Sequence, residues 1–226
     1  MIPAVKASPK TIRAVALHKP PGYLSTRVKP STPKRPSAYD CLPYGWDTPE
    51  APLGACGRLD KESSGLLLFT DDGLLSQALL HPRFEHQAIT ETPSHIAKTY
   101  HLQLSDAVSN TQLHELAQPI TLGEGRKRGP VTTLPAEVSR VNHPEPGTWL
   151  SCTLYDGKNR QIRRLCRRSG LKLLVLRRVS LGPIAMDALA EGQARSLSQR
   201  EIEACYQLAL PGLPVPRLIP PSALAR

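Results

Sequence analysis

Apolar positions in the first third of the chain come in short runs broken by proline and glycine, the rhythm of strands and turns. Residues 1–10 read as a flexible basic arm. Arg13–His18 alternates as a strand, Lys19-Pro20-Pro21-Gly22 breaks it with a turn, and Tyr23–Val28 resumes extended chain. Residues 29–38 form a Pro/Ser/Lys loop. Pro52–Leu59 reads as a strand in which Gly54 and Gly57 allow close backbone approach. A tight segment, Asp60–Gly65, leads into the fully apolar strand Leu66–Phe69. Asp71 and Asp72 then cap a helix through His81, apolar at Leu74, Leu75, Ala78 and Leu79.

Beyond a polar, irregular stretch at 83–96, the pattern predicts a strand at Ala97–Leu104 and a helix from its cap at Ser109 to Gln118. Strands follow near 119–122, 133–141 and 148–155. Asn159–Ser169 reads as a helix closed by Gly170 at C′, and Lys172–Leu181 as an extended run ending at Gly182-Pro183. Ser198 and Glu201 form a capping box that opens a last helix. Residues 210–226, with five prolines, read as a tail. There are no internal repeats and no regular βαβ alternation. The expected architecture is therefore α+β, a largely antiparallel mixed sheet flanked by helices, in one domain over residues 11–209.

Composition narrows the class. Hydrophobic residues make up 40% and charged residues 21% of the 226, the balance of a folded chain able to bury a core. The longest apolar runs, Leu66–Phe69 and Leu173–Leu176, fall far short of the roughly 20 residues of a bilayer span, so no membrane is expected. The net charge of +10 lies in two windows. Residues 1–39 hold eight Lys/Arg and residues 157–178 hold nine, neither with an acid, and the rest of the chain is net acidic. Such segregation points to a polyanion, and nucleic acid fits better than a phospholipid surface because neither window is a long amphipathic helix with bulky apolar residues. The five cysteines, at 41, 56, 152, 166 and 205, form no CxxC pair and have no histidine at metal-ligand spacing. That argues for reduced thiols in a reducing compartment, bacterial-type cytoplasm or an organellar matrix. The N-terminus lacks the apolar region of a secretory signal.

Two segments could carry chemistry: GRLDKESSGLLL at 57–68 and GKNRQIRRL at 157–165. The first places Asp60 where a strand gives way to a glycine-bounded loop. Taken alone, such an aspartate is more often a loop cap or salt-bridge partner than a catalyst. On a helical wheel the second segment buries Ile162, Leu165 and Cys166. Arg160, Arg164 and Arg167 then lie on the exposed face, placed for phosphate, and Arg163 lies beside the stripe, within reach of a carboxylate.

These segments resemble the signature of pseudouridine synthases, in particular the RsuA-type branch that modifies ribosomal RNA. RLDxxSxGLL resembles the catalytic-aspartate motif and puts Asp60 in the nucleophile position. Lys98-Thr99-Tyr100 resembles the KxY motif, with Tyr100 as the active-site tyrosine. GKNRQIRRL resembles the arginine-rich motif and makes Arg163 the partner of Asp60. Leu176-Arg177-Arg178 followed by Gly182 resembles the strand at the pocket floor, with Leu176 in the pocket. His18-Lys19-Pro20-Pro21-Gly22-Tyr23 resembles the opening KPxG motif. The matches run in family order over residues 15–205. Many branch members begin with a small S4-type RNA-binding domain, for which this chain has no room before Lys19, and the segment from Phe84 to Ala97 looks longer than usual.

The resemblance implies a pseudouridine synthase fold with a central RNA-binding cleft. It also implies an isomerase that detaches uracil from C1′, turns it and rejoins it through C5. That reaction involves no redox step, so no cofactor and no metal are expected. The anionic group serves as nucleophile at C1′ or as base at C2′, and a close guanidinium favours its charged form. The expected partner is RNA, either ribosomal RNA or a ribosomal assembly intermediate, bound by a monomer. Lys19, Arg58, Lys98, Lys158, Arg160, Arg164, Arg167 and Arg178 are the expected RNA contacts, with the arm residues Lys6, Lys10 and Arg13 assisting. A non-catalytic RNA-binding assembly factor on the same fold is the alternative. The joint presence of Asp60, Tyr100 and Arg163 favours the enzyme, since a binder has no need of a costly ion pair.

Overall fold

The computed structural model describes residues 10–28, 35–80, 96–123 and 129–220. Arm residues 1–9 with Lys6, loop residues 29–34, most of the 83–96 stretch and the end of the tail lie outside the described residues.

A nine-stranded mixed sheet organises the chain. Its main strands are β1 (Ala14–Lys19), β2 (Ser64–Thr70), β3 (Lys98–Leu104), β4 (Glu137–Arg140), β5 (Thr148–Leu154), β6 (Leu173–Leu181) and β7 (Ala194–Ser196), in the spatial order β7-β1-β2-β6-β3-β5-β4. Four helices pack on it: α1 (Gly73–Leu80), α2 (Asn110–Ala117), α3 (Gln161–Arg168) and α4 (Gln199–Ala209). β2 is buried at every position because both faces are covered. Leu67 and Phe69 enter a cluster with Tyr100, Leu102, Leu150 and the α3 residues Ile162 and Leu165. Leu66 and Leu68 enter a second cluster with Leu75 and Leu79 of α1 and Ile202 and Cys205 of α4. This explains why the sequence there is continuously apolar rather than alternating. β3, covered on one face, alternates buried and half-buried.

One pair of main strands departs from the antiparallel rule. β2 and β6 run parallel and pair only at Ser64 with Arg177 and at Gly65 with Arg178. A Cβ on Gly65 would lie 2.2 Å from the Arg178 carbonyl oxygen, and its φ is +103°, so only glycine allows this approach. The contact draws the Asp60 loop, just before β2, against the strand that follows α3.

Several expected elements are shorter than the sequence suggested. Of Pro52–Leu59 only Gly54–Ala55 pairs with β2, because side chains satisfy the neighbouring backbone: Leu53 N donates to Asp47 and its carbonyl accepts from Arg27. Tyr23–Val28 is not a strand but makes one bridge, Leu24 to Ser37, ahead of a 3₁₀ turn at Ala38–Cys41. The 119–122 and 133–141 strands contract to Thr121–Leu122 and Glu137–Arg140. α3 starts at Gln161, not Asn159. The proline-rich segment places Arg217–Leu218 parallel to Thr11–Ile12.

Candidate active site

Residues before β2 are fixed by hydrogen bonds from two directions. Ser25 Oγ donates to the Leu59 carbonyl and accepts from Leu59 N. The Lys61 carbonyl accepts from Gly22 N and from Lys19 Nζ, and Ser63 N donates back to the Asp60 carbonyl. Lys19 is fully buried, its ammonium shared among the carbonyls of Pro20, Tyr23 and Lys61. Burial lowers its pKa to about 8. It cannot reach a phosphate, so the expected RNA contact at Lys19 is corrected to a pin that ties the KPxG turn to the Asp60 loop.

Asp60 meets two guanidinium groups. Arg163 Nε lies 3.3 Å and Arg160 Nη1 3.2 Å from the same oxygen, Oδ2. Oδ1 accepts no hydrogen bond among the described residues. Arg163 is held in turn by Ser63, its Nη2 donating to Ser63 Oγ at 3.0 Å. The pairing of Asp60 with Arg163 is the one the resemblance of GKNRQIRRL to the arginine-rich motif implies. That of Arg160 is not: placed on the exposed helix face, it was expected to point away. It instead sits at the N-cap with left-handed backbone, φ 51°, which swings its side chain toward Asp60 and Glu62. A wheel drawn through Arg160 assumed helix where there is none.

A cleft of about 400 Å³ opens beside Asp60. Asp60, Tyr100, Leu176, Arg58, Lys98, Lys158, Arg160 and Arg178 all line it, together with Leu154, Asp156, Gln161 and Ile162. Its inner wall is apolar and buried at Tyr100, Leu154, Ile162 and Leu176. Its rim is cationic, with Arg58 and Arg160 exposed. β3 and β6 supply the wall through their register, Tyr100 standing opposite Arg178. Arg164 and Arg167 stand outside the cleft, on the outer part of α3. Arg164 bonds Asn159 at 3.3 Å, and Arg167 is exposed.

The basic windows prove mixed in use. Arg168 caps α2, donating to the carbonyls of Glu115, Gln118 and Pro119, where a cation also complements the helix dipole. Arg177 pairs with Glu145 at 2.7 Å. Arg13, expected to help grip RNA, is buried and bonded to Asp71 and to the carbonyls of Trp46 and Ala51. Lys10 pairs with Asp72 at 2.9 Å.

Three site residues had no assigned role in the sequence reading. Ser63 was part of the aspartate motif, but its tie to Arg163 depends on a contact 100 residues away. Gln161 is buried and joins the loop before α3 to itself, accepting from Lys158 N and donating to Asp156. Asp156 also accepts from Leu134 N. A lone glutamine inside a basic run was the one signal that could have marked this brace.

Comparison with known proteins bears on the same residues. The family model for RNA pseudouridylate synthase matches residues 13–168. Ribosomal large subunit pseudouridine synthase B of Pseudomonas aeruginosa is 30% identical over 223 residues, covering 92% of this chain and 50% of that protein. Ribosomal large subunit pseudouridine synthase E of Xanthomonas campestris pv. campestris is 35% identical over 192 residues, covering 80% of this chain and 93% of that one. A crystal structure of a pseudouridylate synthase superposes with a TM-score of 0.66 at 30% identity, covering 86% of this chain and 74% of the other. The chain thus spans about half the length of the Pseudomonas relative.

Proposed function

The chain belongs to the RNA pseudouridylate synthase family, and from that premise we propose that it converts a uridine of large-subunit ribosomal RNA into pseudouridine with Asp60 as the reactive anion. The observation that carries this reading is the state of Asp60 itself. One carboxylate oxygen is held by two arginines, the other accepts no hydrogen bond among the described residues, and Asp60 lines a cleft of about 400 Å³.

The target nucleotide leaves its stack to enter the cleft. Its sugar C1′ comes to Oδ1 of Asp60, and its base lies against the wall made by Tyr100, Leu176, Ile162 and Leu154. Arg163 and Arg160 set two positive charges against Oδ2 of Asp60, in a site from which the bound base excludes water. Ser63 holds Arg163 so that its charge stays on Oδ2 and off the reacting oxygen. Arg58 and Lys158 at the rim, with Arg164 and Arg167 on α3, take the flanking phosphates. A binding-only factor would use the outer arginines and leave the inner wall without a task.

Nucleotide-resolution mapping of pseudouridine in large-subunit ribosomal RNA, from cells with and without the gene, tests the reading. Loss of a modified position on deletion, restored by the wild-type gene, supports it. An unchanged map in ribosomal RNA contradicts it.

A further inference from the structure

Two cations stand at the inner wall of the cleft with too few partners. Lys98 is 8% exposed and Arg178 3%. They sit on adjacent strands and feel each other's charge. Lys98 Nζ donates one hydrogen bond, to the Ile96 carbonyl at 3.1 Å, and the other two ammonium protons have no partner among the described residues. Arg178 Nε donates to the Leu66 carbonyl at 2.7 Å, but its Nη2 is buried with no partner among the described residues. The acid facing Lys98 is Asp156, already engaged by Gln161 and Leu134 N. Burial, with Arg178 adding to it, lowers the Lys98 pKa to about 8. Keeping two underpaired cations out of water destabilises a fold. Their missing partner is therefore something the cleft binds.

The gradient of exposure shows which part of a nucleotide that is. Arg58 and Arg160 are exposed at the rim, Asp60 is 28% exposed between, and Lys98 and Arg178 are innermost. A sugar with C1′ at Asp60 leaves its phosphates at the rim and sends its base inward. Resting on the reading of the reaction given above, we propose that Lys98, backed by Nη2 of Arg178, binds a carbonyl oxygen of the target uracil and stabilises the base while it is detached. Both residues thus pass from general RNA contacts to contacts with the reacting base.

The charge arises in the cleavage step. Oδ1 of Asp60 bonds to C1′ as the C1′–N1 bond breaks, and the electron pair of that bond leaves with the base, spread over N1, O2 and O4. C5 of the turned base then bonds to C1′ as the C1′–Oδ1 bond breaks and its electron pair returns to Asp60; N1 takes up one proton and C5 gives one up, so the sum is an isomerisation. A fixed cation at a carbonyl oxygen lowers the energy of the charged stage and does little for the neutral nucleotide, which is the differential binding that accelerates a step.

The test uses the full chain, an in vitro transcript of the host's large-subunit ribosomal RNA, and the variants Lys98→Met and Lys98→Arg. Lys98→Met is expected to slow pseudouridine formation about 100-fold or more at saturating RNA. It should leave the salt dependence of binding unchanged and unfold at the same temperature as wild type or higher. Lys98→Arg should recover part of the rate. A normal saturated rate with a log–log salt slope flatter by about 0.7–0.9 would make Lys98 a phosphate contact. A lower unfolding temperature with no recovery in Lys98→Arg would make it a support of the wall. Either result overturns the proposal while wild-type activity upholds the assigned reaction. Wild type that forms no pseudouridine overturns both.

Discussion

The two ends of β2 carry aspartates of opposite character. Asp72, past the C-terminal end, has a side chain wholly removed from solvent. It accepts from the hydroxyl of Tyr206 on α4, from Lys10 and from Leu74 N at the start of α1. Both of its oxygens are engaged, and the partners come from three separate parts of the chain. Asp60, before the N-terminal end, is 28% exposed, gives a single oxygen to two arginines and keeps the other open. The same residue type thus ties elements together at one end of the strand and is held ready at the other. Saturation of hydrogen-bonding capacity tells them apart better than burial or charge pairing does.

The largest effects should fall on the Asp60 end. Asp60→Asn is expected to abolish pseudouridine formation, with stability changed by less than about 1 kcal/mol because the ion pairs lost are partly exposed; single-turnover assays and denaturant melts check the two halves. Arg163→Ala should lower the saturated single-turnover rate about 100-fold or more, and Ser63→Ala by a smaller factor, since Arg160 and the backbone still hold the loop. An unchanged saturated rate in Ser63→Ala would remove Ser63 from its role as an orienting group.

At the other end the readout is stability. Tyr206→Phe should cost about 1.5–3 kcal/mol, the worth of a buried hydrogen bond to a charged group, with the saturated rate per folded molecule unchanged. Burial alone would raise the Asp72 carboxyl, but the Tyr206 hydroxyl and Lys10 outweigh it and hold its pKa below the usual range. A carboxylate lowered in the folded state contributes stability above its unfolded pKa and loses it as pH falls through the folded one. Wild type should therefore lose stability below about pH 4 more steeply than Asp72→Asn. Identical acid limbs would show that the other lowered carboxyls, such as Glu201 with Arg195, dominate. The smallest effect belongs to the outer helix face. Arg164→Ala with Arg167→Ala should flatten the log–log salt dependence of RNA binding by about 0.7–0.9 per phosphate contact and leave the saturated rate near wild type.

What could be read from the sequence follows the range of the interactions involved. Ile162, Leu165 and Cys166 set the buried stripe of α3 by local periodicity, and the place of Arg163 beside that stripe followed from it, while its pairing with Asp60 came from the motif. The cap at Ser109 and the capping box at Ser198 are local devices and stand where the pattern put them. Arg160 failed because a single left-handed residue redirects a side chain in a way no wheel contains. Lys19 and Arg13 failed because a basic residue in an acid-free window looks solvent-facing until distant carbonyls are folded around it. The single parallel contact of β2 with β6, and with it the approach of the Asp60 loop to the floor strand, depends on Gly65 meeting Arg178 more than 100 residues later.

The contrast between the two aspartates is tested most directly by making Asp60→Asn and Asp72→Asn and measuring both the same way: single-turnover pseudouridine formation at saturating RNA, and the midpoint of denaturant unfolding. The account predicts crossed results, with Asp60→Asn inactive and near wild-type stability, and Asp72→Asn active once folded and clearly less stable. An Asp60→Asn protein that still forms pseudouridine at the wild-type rate would contradict it.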